Sequence, residues 1–163
     1  MSLNPVPDLR PDMLAEVLPG SWHVRASNFP MWLSERRIDP VFSYALISTA
    51  PLVLSDDVSW RTPEGETRHI VGVDRLVGSS FTWRGSGLLR VLSSHWSVEG
   101  ICPDGNLLCI RFGKSLLSPA GIDIIERVGA GSSEPRSLVA ASSASFGLTP
   151  EDFASLTWLA PSS

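Results

Sequence analysis

The stretch Ser21-Trp22-His23-Val24-Arg25-Ala26-Ser27-Asn28-Phe29 places Trp22, Val24 and Ala26 on one face of an extended chain and His23, Arg25 and Ser27 on the other. A period of two, apolar against polar, marks a β-strand with one buried face. Working back from it, Pro19-Gly20 ends a short helix over Arg10 to Leu18, with Pro11 in its first turn and Met13, Leu14 and Val17 on one side. Residues 1–9 hold proline and read as an extended arm. Working forward, strand-like segments recur: Val41 to Ile47, Pro51 to Trp60, Thr67 to Asp74, Phe81 to Gly85, Arg90 to Ile101, Leu107 to Phe112 and Ile122 to Val128. Glycine and proline punctuate the gaps between them.

About eight short strands with turns every 8–12 residues predict an all-β sandwich or an antiparallel up-and-down barrel. One domain over 1–163 is expected, with the barrel at about 20–128. The Ser-, Ala- and Gly-rich stretch at about 129–147 reads as a flexible linker. Thr149-Pro150-Glu151-Asp152 then starts a C-terminal helix at about 149–158: an N-cap Thr, a Pro at the first position and two acids in the first turn.

Composition excludes several classes. The chain has 163 residues, 43% hydrophobic and 18% charged, which is too apolar for a disordered protein. Its longest apolar runs are short, such as Ala50 to Leu54, where a membrane-spanning helix needs roughly 20 residues. A net charge of −4 without a basic cluster argues against nucleic-acid binding. No apolar run opens the chain, so a cytoplasmic location is expected. Cys102 and Cys109 flank the turn Pro103-Asp104-Gly105-Asn106 as diagonal neighbours. Such positions lie too far apart for a disulfide, and two free thiols are expected.

At Gly20-Ser21-Trp22 the chain resembles the lipocalins, whose first strand opens on Gly-x-Trp after a short helix. Arg127, in Ile124-Ile125-Glu126-Arg127, stands where that family has its last-strand arginine. The resemblance implies an eight-stranded antiparallel up-and-down barrel, its base closed by Trp22 packed under Arg127, a cation–π contact worth about 0.5–2 kcal/mol. The short N-terminal and C-terminal helices are read from the residues, and the C-terminal one has no counterpart in the resemblance. The stretches Asn28-Phe29-Pro30-Met31-Trp32, Phe81 to Leu89, Ser94-His95-Trp96 and Ser118 to Asp123 are similar to small bacterial and fungal lipocalin-like proteins, most without an assigned activity. The likeness covers about residues 19 to 128.

A barrel of this size is filled by side chains or holds one small ligand. For a cavity, the ligand-binding candidates are Phe42, Trp60, Trp83 and Trp96 on strands, and Trp32 in the loop that partly covers the mouth in lipocalins. The catalytic candidates are Tyr44, which shares a face with Phe42 and Leu46; His69, which shares one with Val71 and Val73; and Arg111, which shares one with Leu107 and Cys109, with Asp74 and Glu99 as ion-pair partners. No metal is expected: His23, His69 and His95 have no ligand spacing. No cofactor is expected either, since Gly85-Ser86-Gly87 lacks the third glycine of a dinucleotide loop and no other cofactor motif occurs.

Two functions run close. One is a cofactor-free cyclase, isomerase or dehydratase acting on a hydrophobic small molecule of natural-product type, for which confinement supplies much of the catalysis. The other is a non-catalytic binder of such a molecule. An intracellular protein has less need of a carrier, which puts the enzyme slightly ahead. A third reading is a protein-interaction module, or a homodimer, using Phe153, Leu156 and Trp158 of the C-terminal helix.

Overall fold

Strand β1 (Gly20–Ser27) pairs antiparallel with β8 (Gly121–Arg127) along one edge and with the lower part of β2 (Ile38–Thr49) along the other, and these two pairings close a barrel. The computed structural model describes residues 9–115 and 119–160; the rest of the N-terminal arm and Ser118 lie outside the described residues. Around the barrel follow β3 (Leu52–Arg61), β4 (Thr67–Val77), β5 (Ser80–Gly85), β6 (Ser93–Ile101) and β7 (Leu107–Phe112), each antiparallel to its neighbours in chain order. Among the described residues the barrel is therefore eight-stranded and up-and-down. No helix among them is long and apolar enough to cross a membrane.

Helix α1 (Pro11–Val17) plugs the lower end. Arg127 fixes it there: its guanidinium stacks 4.3 Å from the Trp22 ring and donates to the carbonyls of Val17 at 2.7 Å and Pro19 at 3.1 Å. Trp22 itself donates to the Leu18 carbonyl at 3.0 Å. Gly20 is required at this crowded corner. Its φ is +127°, and a Cβ would stand 2.8 Å from Arg127 Nη1.

The alternation of β1 breaks where the sequence reads as regular. Val24 pairs with Ile125 and Ala26 with Ile124, which leaves Arg25 as a bulge. Trp22 and Val24 face the barrel core, whereas Ala26 joins an outer cluster with Cys109, Ile122 and Ile124. Ser27 then turns inward, opposite Asp123. The bulged Arg25 reaches Glu126 at 2.6 Å, a nearly buried ion pair on the outer side.

That outer cluster corrects the expected linker. Residues 129–147 contain helix α3 (Pro135–Ala141) and a 3-10 turn at Ser143–Phe146, and they pack on the barrel through fully buried Val139 and Phe146. Gly100 admits the turn, because a Cβ there would meet the backbone of Ser145 and Phe146. The C-terminal helix is also shorter than expected. α4 covers Pro150–Ser155 with a full capping box between Thr149 and Asp152, and Trp158 lies instead in β9 (Thr157–Trp158). β9 pairs with Ala26 and Ser27, on the edge of β1 that β2 has left free. Leu156 is buried, and Phe153 and Trp158 pack on the same cluster.

Candidate functional site

The barrel interior is not filled. A cavity of about 310 Å³ opens toward the end that carries α2 (Pro30–Leu33) and the 3-10 turn Gly87–Val91. Trp32, Phe42, Tyr44, Trp83, Trp96 and Phe112 supply most of its wall, with Val58 and Ile70 between them. Each comes from the inward phase of a strand, except Trp32, which α2 folds back over the mouth. Trp83 lies flat across Gly72, where any Cβ would collide with the indole. Trp96 is stacked between Phe81, 4.5 Å away, and Tyr44, 5.5 Å away.

Three acids stand on this apolar wall or directly behind it among the described residues: Asp56 on β3, Asp74 on β4 and Asp123 on β8. Asp74 and Asp123 are fully buried and Asp56 is 5% exposed. Trp96 donates its indole N–H to Asp74 at 2.9 Å. The carboxyls of Asp56 and Asp74 interact directly, and both are pushed above the usual carboxylate range, foremost by burial. The charge of Asp74 raises Asp56 further, so the two carboxyls titrate as a coupled pair that shares a proton. Burial pushes Asp123 up to about 7, tempered by weak hydrogen bonding from the Ser27 and Trp32 side chains, neither of which meets a carboxylate oxygen in good hydrogen-bond geometry. Asp56 Oδ1 and Asp74 Oδ2 have no donor other than the proton that the two carboxyls can share. Burial, then the fields of Asp56, Asp74 and Asp123, raise the Tyr44 phenol well above its ordinary value. At neutral pH the phenol is therefore a donor and not a base.

The cavity gathers Trp32, Phe42, Tyr44, Trp83 and Trp96, but not the other sequence candidates. Trp60 packs at the rim, 6.2 Å from Trp32, beneath the guanidinium of Arg37. His69 points outward, its side chain half exposed, and accepts or donates a 2.8 Å hydrogen bond with Asp57. The partly exposed Val71 and Val73 share its outer face, and it was their apolar character that suggested an inward one. Arg111 is also outside. It holds Asp152 at 3.0 Å and lies 3.8 Å from Glu99, so it ties α4 to the barrel wall and is remote from the cavity chemistry. Leu46 is 45% exposed and does not continue the inward face of Phe42 and Tyr44. Asp56 and Asp123 were missed, and Asp74 was named only as a partner for Arg111, which pairs instead with Asp152 and Glu99. Asp56 falls in phase with Leu52, Leu54 and Val58, and Asp74 in phase with Ile70 and Leu76, so an acid on an apolar face was the available sign.

No family model matches this sequence, and no curated protein does. Solved structures do. Lobster apocrustacyanin A1 superposes over 98% of this chain and 90% of its own, with a TM-score of 0.62 and 8% identity. Apocrustacyanin C1 gives 0.63 over the same shares, also at 8% identity. The siderocalin Ex-FABP, described as working through dual ligand specificities, gives 0.59 at 12% identity over 90% of this chain and 95% of its own.

The fold is lipocalin-like.

Within that lipocalin-like barrel, Gly20, Trp22 and Arg127 form the base closure that the sequence resemblance implied. At these identities the likeness reaches the fold and stops there. The lipocalin-like frame leaves the cavity wall, with its acids, to be read from its own residues.

Proposed function

We propose that this protein binds a hydrophobic small molecule inside the barrel. The observation that carries the reading is the chamber of about 310 Å³ walled by aromatic and aliphatic side chains and opening at one end. Ligand pockets of roughly 300–1,000 Å³ with mostly apolar walls and a few placed polar groups are the usual small-molecule sites. The lipocalin-like frame shared with these neighbours, one of which, the siderocalin Ex-FABP, functions through dual ligand specificities, supports it. Two free thiols suit a reducing compartment such as the cytoplasm. Titration with Nile red, followed by quenching of tryptophan fluorescence, tests the reading. Saturable binding to the wild type, abolished by Ser94→Trp, which fills the chamber, is the expected result. No saturable binding overturns it.

One observation favours a second reading, in which the bound molecule is also converted. Carboxyl groups held near neutrality beside a protonated phenol are equipped to donate and accept protons at physiological pH. In a cofactor-free cyclase, isomerase or dehydratase here, the pair Asp56/Asp74 or Asp123 would move the proton and Tyr44 would polarise an oxygen of the substrate. These roles replace those first assigned to His69 and Arg111. Native mass spectrometry with product analysis distinguishes the readings. Unchanged ligand means a binder, a mass-neutral conversion an isomerase or cyclase, and loss of water a dehydratase. Conversion is expected to fall with Asp56→Asn while Nile red binding stays.

A further inference from the structure

We propose that the cavity selects a ligand whose apolar body carries a cationic nitrogen, an organic ammonium, and that Asp123 with Asp56 receives that nitrogen. The inference rests on the reading that the chamber binds a small apolar molecule and names what else that molecule carries.

Three observations converge on it. Asp123, fully buried, and Asp56, nearly so, are lining residues of the cavity, and neither has an ion-pair partner among the described residues: Asp123 has the neutral side chains of Ser27 and Trp32 beside it, and Asp56 the carboxyl of Asp74. A buried carboxyl left unpaired is expensive, and an incoming cation removes that penalty. The surrounding wall is built of ring faces: Trp32, Phe42, Tyr44, Trp83, Trp96 and Phe112. The faces of aromatic rings carry negative potential and attract ammonium groups within about 6 Å, more strongly when water is excluded. Finally, the charges on the wall divide in space. The one cation among the described lining residues, Arg37, is held at the rim, 4.6 Å over the Trp60 ring and 5.9 Å from Trp32, while Asp56 and Asp123 belong to the barrel strands.

Competing ligand classes fit less well. An anion would enter a chamber whose strand-borne charges are all acidic. A neutral hydrocarbon would leave the carboxyl oxygens as they are. A bare metal ion lacks its ligands: among the described residues no three His, Cys, Asp or Glu side chains are grouped to hold one.

The test uses three probes that share one apolar body: phenylbutylamine, phenylbutanol and phenylbutyrate, titrated calorimetrically into the full chain at neutral pH. The amine is expected to bind at least about tenfold more tightly than the alcohol, and the carboxylate least. Asp123→Asn should bring the amine to within about twofold of the alcohol. Asp56→Asn is the second variant, should the first fail to give the wild-type circular dichroism. If the alcohol binds and the amine binds no better, or the carboxylate binds best, the cationic assignment is overturned and the apolar-binding reading stands. If none of the three binds but Nile red does, the assignment is again overturned. If Nile red also fails, both readings fall.

Discussion

The indole N–H of Trp96 donates to the Asp74 carboxylate over 2.9 Å, inside a barrel whose neighbouring side chains are otherwise mostly apolar. The same indole is stacked between Phe81 and Tyr44. One residue therefore both forms cavity wall and satisfies a buried acid. Trp96→Phe keeps a ring but removes the donor. It is expected to destabilise the fold by about 2–4 kcal/mol, combining lost packing with an unsatisfied buried carboxyl. Pairing it with Asp74→Leu should recover part of that loss. Urea denaturation of the two single variants and the double variant measures the coupling.

Stability should depend on pH with an unusual sign. The carboxyl of Asp123 moves from 3.8 in an exposed chain to about 7 in the fold, so between those values the native state holds a proton the unfolded chain has released. Stability is then fully present below about pH 4 as far as this group is concerned, and falls as pH rises toward 7. Asp56 and Asp74 act in the same direction. Asp104 and Asp152, whose carboxyls are lowered, titrate below this window. The Asp123 contribution is on the order of 2–4 kcal/mol. Urea midpoints between pH 5 and 8 are expected to decline in the wild type and to decline less steeply in Asp123→Asn, where Asp56 and Asp74 still contribute.

Arg127→Ala should loosen the lower end of the barrel. It removes the contact over Trp22 and both hydrogen bonds to the end of α1. The expected loss is about 1–3 kcal/mol, with α1 the first segment to exchange its amide hydrogens. Arg127→Lys should restore little of it, because an ammonium lacks the flat fork that serves ring and carbonyls together. Thermal denaturation and hydrogen exchange report the two effects.

Residues 130–160 should behave as part of the folded unit. Val139→Asp places a charge in a fully buried position of the outer cluster and is expected to cost more than about 3 kcal/mol. A chain ending at 129 would expose Cys109, Ile122 and Ile124 and should aggregate. Sedimentation of that truncated chain beside the full one also tests the homodimer: an association mediated by Phe153, Leu156 and Trp158 would disappear with them, leaving a well-folded monomer instead.

Much of the barrel was legible because alternation is local. Period two groups Trp22 with Val24 and Phe42 with Tyr44 on common faces, which the structure turns inward together with Trp83 and Trp96, and the resemblance supplies Gly20, Trp22 and Arg127. The site was legible only in its apolar half. His69 and Arg111 were assigned inward roles because valine, leucine and cysteine share their faces. On β4 those valines are simply exposed, and on β7 the outer face is covered by α3 and the segment after it. A barrel wrapped on one side has two buried faces there, and alternation cannot say which one is the lumen. The acids went unnoticed as members of the cavity wall for the opposite reason, Asp74 being read only as a partner for Arg111. Polar residues are normally assigned to solvent, and only the phase of Asp56 and Asp74 among leucine, valine and isoleucine betrays them. The helix at Pro135–Ala141 hid in a composition rich in serine and alanine, where burial of Val139 and not propensity decides the outcome.

The bulge at Arg25 makes β1 tolerant of shortening at one residue and intolerant on either side. Val24 and Ala26 already face consecutive partners, Ile125 and Ile124, as if Arg25 were not there. A chain lacking Arg25 would keep Trp22 and Val24 in the lumen, Ala26 outside and Ser27 opposite Asp123, losing the pair with Glu126 and the hydrogen bond that the Arg25 carbonyl accepts from the Leu159 N–H. Removing His23 instead would turn Trp22 out toward solvent, or carry the mismatch into every position that follows. Length variation in this strand is thus confined to one interpolated residue, and the seam between the first and last strands stays in frame around it.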